Sequence, residues 1–101
     1  MIVSAEEMRK CSSKALMPRY TKRYTRYLKK TMRKIQRQSK QGLYQYADTY
    51  DYLDQIEFKA MKDVVTAFTA VGYKGKYTVS QEKLGGEIFY KISFVIAWDA
   101  T

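Results

Sequence analysis

Apolar and polar positions divide the chain into segments of different period. Ser4 followed by Glu7 forms a capping box, and Val3 and Met8 are placed as a hydrophobic staple, so a helix starts at about residue 5. Met8, Cys11 and Ala15 share one face of it. A second stripe, Tyr20, Tyr24, Tyr27, Leu28, Thr31 and Ile35, keeps the 3.6-residue period but points almost opposite if the helix continues straight. Pro18 lies between the two. Proline has no amide donor and disfavours helix at the residue before it, so the pattern predicts a break or sharp kink at residues 17–18. Both stripes can then turn towards one core.

The second helix is expected to run to about residue 40 and stop near Gly42. Tyr44, Tyr46 and Tyr50 then recur at even spacing, which predicts a short strand over 43–50. Asp54 with Glu57 repeats the capping-box signal, and Ile56, Ala60, Met61, Val64, Ala67, Phe68 and Val71 hold helical spacing up to Gly72. Beyond it, Tyr73, Tyr77 and Val79 alternate with polar residues, as do Ile88, Tyr90, Ile92, Phe94, Ile96 and Trp98. These read as two strands joined by a turn within residues 81–87, which contain Gly85-Gly86. Phe89, Val95 and Ala97 make the second face of the last strand apolar as well, the pattern of a central strand covered on both sides or of an interface. The expected fold is a single small α+β domain over 1–101. It has N-terminal helices broken near Pro18, a short strand, a helix and a C-terminal β-hairpin, giving a three-stranded, mainly antiparallel sheet.

Charge changes this picture in one place. The net charge is +9, but residues 1–47 hold 13 basic and 2 acidic side chains (+11), while residues 48–101 hold 6 basic and 8 acidic (−2). No carboxylate occurs between Met8 and Ala47. Within residues 19–40, Arg19, Lys22, Arg23, Arg26, Lys29, Lys30, Arg33, Lys34, Arg37 and Lys40 fall on the side opposite the tyrosine stripe. A surface helix ordinarily mixes both signs, and a one-signed face spread over ~30 Å suits a polyanion or a large acidic surface. Tyr44 and Tyr46, just after it, are placed to stack on exposed bases. The acids Asp48, Asp51, Asp54 and Glu57 are the groups that would neutralise part of this face, if the fold brings them to it.

Catalytic and metal chemistry finds little to work with. The chain has no His, which removes the commonest general base and metal ligand, and its lone Cys11 has no His partner and no second Cys for zinc. Cys11 reads as a small buried residue. The acids at 48–57 recur every three residues, but three of them lie at or before a helix start, where capping and the helix dipole favour them. Gly85-Gly86 lacks the Lys-Ser/Thr of a phosphate loop. No catalytic residue, metal ligand or cofactor is therefore assigned. The N-terminus has no apolar signal core and no run of about 18 apolar residues follows, so a cytoplasmic protein without membrane contact is expected.

The opening, Met1-Ile2-Val3-Ser4-Ala5-Glu6-Glu7-Met8-Arg9, with Gly72-Tyr73-Lys74 after a helix and a last strand ending Ile96-Ala97-Trp98, resembles small accessory proteins of tailed bacteriophages. That resemblance implies action in the host cytoplasm, such as blocking a host or defence factor or sequestering a nucleotide signal. Three partners follow from the residues and this context. The first is DNA or RNA held on the 19–40 face. The second is an acidic host protein, with strand 87–98 as a homo-oligomer interface. The third is a small phosphorylated nucleotide captured between subunits.

Overall fold

In the computed structural model, which describes residues 2–99, the chain is α+β, with five elements in the order α1 (Ala5–Lys40), β1 (Gln45–Leu53), α2 (Gln55–Ala70), β2 (Lys74–Leu84) and β3 (Glu87–Ala97). The strands form one antiparallel sheet in the order β1-β3-β2. Burial along β3 alternates, with Ile92, Phe94 and Ile96 on the covered face. Against them pack Ala60, Met61, Val64, Val65 and Phe68 of α2, Tyr46 and Leu53 of β1, and Tyr27 and Ile35 of α1. The last strand is central, as its apolar character predicts, but helices cover only one of its faces. The other is an open trough lined by Ala47, Thr49, Thr78, Ser93 and Val95.

Both caps form. Ser4 Oγ accepts the Glu7 amide at 3.2 Å. At α2 the box is reciprocal: Asp54 Oδ1 accepts the Glu57 amide at 2.8 Å, and Glu57 Oε1 accepts the Asp54 amide at 3.3 Å. Two strands extend beyond the expected limits. β1 runs from Gln45 to Leu53 through an irregularity between Tyr50 and Leu53, where Tyr52 takes a φ of 54°. β2 continues to Leu84 because Gly85 (φ 57°) and Gly86 (φ 84°) by themselves make the two-residue turn that a tight hairpin requires. At its other end, a Cβ on Gly75 would lie 2.5 Å from Thr69 Oγ1 and 3.1 Å from Val65 Cγ1, so this glycine lets β2 approach α2.

The expected break at residues 17–18 does not occur: α1 is a single helix of 36 residues with Pro18 inside it. The break was inferred from two apolar stripes that could not face one core together. In the fold only one of them needs to. Met8, Cys11 and Ala15 are exposed, so Cys11 is not the buried residue its type suggested. Pro18 and Lys14 are also exposed, so the proline, which leaves the Lys14 carbonyl without its helical amide partner, sits on an exposed part of α1. The first turns of α1 therefore stand clear of the body. The molecule measures 63 × 29 × 21 Å, with a radius of gyration of 16.7 Å where a compact chain of this length has ~13 Å.

Candidate polyanion-binding face

The orientation of α1 follows from its buried stripe. Tyr27, Thr31 and Ile35 are buried, and Tyr20, Tyr24, Leu28 and Met32 pack around them. At about 100° per residue, Arg19, Lys22, Arg26, Lys29, Arg33, Arg37 and Lys40 fall within about 80° of one another on the opposite side. All seven are exposed. Arg23, Lys30 and Lys34 flank this row, closer to the body.

Among the described residues, the acids of the second half reach only one end of the face. The Arg19 guanidinium donates to the Asp54 carboxylate, and Arg23 Nε lies 3.8 Å from Glu57 Oε2. Burial pushes the Asp54 carboxyl up. The Glu57 amide and the Arg19 charge outweigh that and hold it below the usual carboxylate range. Asp48 is occupied elsewhere, accepting from the Tyr46 hydroxyl at 2.6 Å and the Thr49 amide at 2.8 Å, and Asp51 accepts the Tyr52 amide at 2.9 Å. Lys30 Nζ lies 5.0 Å from the centre of the Tyr50 ring, a cation–π contact. Lys22, Arg26, Lys29, Arg33, Lys34, Arg37 and Lys40 have no acidic partner among the described residues. The row from Lys22 to Lys40 thus presents uncompensated charge.

The two tyrosines expected to stack on bases separate. Tyr46 is 5% exposed, its ring set edge-on to Phe94 at 5.8 Å, so it is a core residue and cannot reach a ligand. Residues 44 and 46 would share a face of one strand, but β1 begins only at Gln45, which leaves Tyr44 in the preceding loop and 63% exposed. Trp98 donates its amide to the Tyr44 carbonyl at 3.0 Å, which ties that loop to the end of β3. Beside it a cleft of about 400 Å³ is lined by Met32, Ile35, Gln36, Ser39, Lys40, Tyr73 and Trp98, with the Tyr73 and Trp98 rings 6.3 Å apart. Sequence reasoning placed Tyr73 and Trp98 as a helix stop and a strand end. Their position beside Lys40 depends on three elements meeting, and no local pattern announces it.

Among the described residues, no cluster of three or more His, Cys, Asp or Glu side chains could hold a metal ion, and no helix is long and apolar enough to cross a membrane. Comparison with protein-family models, curated proteins and solved structures finds no match for this chain.

Proposed function

We propose that this chain is a non-enzymatic binding protein that holds a polyanion, most simply DNA or RNA, along the outward row of α1. One observation carries the reading: among the described residues, the acids neutralise Arg19 and Arg23 at one end and leave Lys22, Arg26, Lys29, Arg33, Arg37 and Lys40 without a counter-charge. Those six span nineteen residues of helix, ~27 Å from first to last, or about eight base-pair steps of duplex. Affinity would come from phosphate contacts and counterion release. Tyr44, Tyr73 and Trp98 at the Lys40 end offer rings to an unpaired base.

The test is a fluorescence-anisotropy titration of nuclease-treated protein against a generic labelled duplex and a single strand. With about six phosphates engaged, log affinity for duplex should fall with log salt at a slope near −5, about a thousandfold between ~50 and ~200 mM. Arg26→Glu/Arg33→Glu/Arg37→Glu should weaken binding by at least ~100-fold with an unchanged far-UV spectrum, because all three side chains are exposed. Unaltered affinity in that variant would sink the proposal. A second reading, docking on an acidic protein, draws on the exposed Met8, Leu16 and Met17 of the projecting end of α1. It predicts binding that survives ~200 mM salt, since apolar contacts are not screened.

A further inference from the structure

β2 is an edge strand of an unusual kind. Its eleven residues pair with β3 without interruption from Lys74 to Leu84, and all but Gly75 are exposed. Tyr77 and Val79 lie on the same face of the sheet as the core residues Phe94 and Ile92, yet remain 41% and 42% exposed. The opposite edge, β1, is interrupted near Tyr52, the kind of irregularity that discourages pairing with another chain. β2 has no bulge and no proline.

Its sequence is also complementary to itself. About Val79, the strand KGKYTVSQEKL sets Lys76 against Glu82, Tyr77 against Gln81 and Thr78 against Ser80. In antiparallel pairing the outward-facing amides and carbonyls alternate, so two identical edges can meet only in registers centred on a residue. Centring on Val79 engages all eleven residues and joins Lys76 to Glu82 twice, on the outer face. Neither side chain has an ionic partner among the described residues. Centring on Ser80 sets Lys76 against Leu84 and Thr78 against Glu82. Centring on Thr78 opposes Glu82 to Lys74, which Asp99 already holds at 3.5 Å.

We infer that β2 is the docking surface for a second copy of this chain, the two β2 edges pairing antiparallel about Val79 to make a continuous six-stranded sheet, β1-β3-β2-β2-β3-β1. The contact is isologous and closes at two copies. It stands on different residues from the polyanion reading and needs no ligand.

Light scattering on the nucleic-acid-free chain, from micromolar to a few hundred micromolar, should show a concentration-dependent species of twice the 11.9 kDa chain mass. Lys76→Glu and Glu82→Lys each replace two attractive cross-strand pairs with two repulsive ones and should weaken association about tenfold or more. The double swap Lys76→Glu/Glu82→Lys restores both pairs and should recover most of the loss. In a Cys11→Ser background, Val79→Cys should cross-link on oxidation, because directly paired residues sit within disulfide reach. Thr78→Cys, whose counterpart lies on the diagonal, should not. A chain that stays monomeric throughout, its edge left for a foreign strand, would overturn the inference. So would single reversals without effect, a double swap that restores nothing, or cross-linking through position 78 in place of 79.

Discussion

Thr31 is fully buried on α1, and its hydroxyl has no hydrogen-bond partner among the described residues. A buried polar group in that position costs free energy that an isosteric methyl does not, so Thr31→Val should raise stability by roughly 1 kcal/mol, read from the midpoint of urea unfolding at unchanged slope. The tyrosines behave differently, since several of their hydroxyls are engaged. Tyr20 donates to Asp63, Tyr27 to Glu57 at 3.4 Å and Tyr46 to Asp48. Burial pushes the Tyr20 and Tyr50 phenols up to about 12, with Asp63 adding to the first and Asp48 to the second, and it raises Tyr27 and Tyr46 in the same direction. A folded value above the unfolded one near 10 means stability fully present below pH 10 and lost as pH rises through the folded values. Alkaline titration followed by tyrosinate absorbance should therefore show a late phase near pH 12, coincident with loss of tertiary structure. Tyr44 and Tyr46 mark what could be read beforehand. Both were recognisable as aromatic residues next to a basic helix, but which of them enters the core depends on where β1 begins, and that is decided by pairing with β3.

α1 carries two tasks along one rod. From Tyr20 onward one stripe is buried, while the turns before it are exposed and meet the body where Leu16 and Met17 approach Ile56 beside Tyr20 and where Arg19 donates to Asp54. Pro18→Ala would restore the amide that Lys14 lacks, so residues 8–18 should exchange their amide hydrogens more slowly, while the global unfolding midpoint moves little because the exposed arm adds little to the core. Both helix starts, the Gly72 stop, the glycine turn and the central place of the last strand were legible because each is a local signal: a cap, a left-handed residue or a run of alternating side chains. The uninterrupted α1 was not. The proline rule assumes that both flanking segments must reach the core, and the sequence does not show that the first is excused from it. The full length of β2 was obscured for a related reason, since polar residues from Gln81 to Lys83 read as part of the turn unless a two-sided exposure of the strand is allowed.

Across the whole molecule, charge and apolar burial are laid out on opposite sides of one helix, so binding a polyanion would ask no rearrangement of the core. Pairing through β2 keeps both helical layers on the same side of the sheet, because directly opposed residues share a face. Five strand spacings of ~4.8 Å then separate the two outermost strands, so the two basic rows would flank a platform on the order of 24 Å wide. The projecting start of α1 has a hydrodynamic consequence. A single copy is three times as long, at 63 Å, as its shortest dimension of 21 Å. Such a rod meets more drag than a ball of equal mass, so one copy alone should diffuse and elute as if it were substantially heavier than 11.9 kDa.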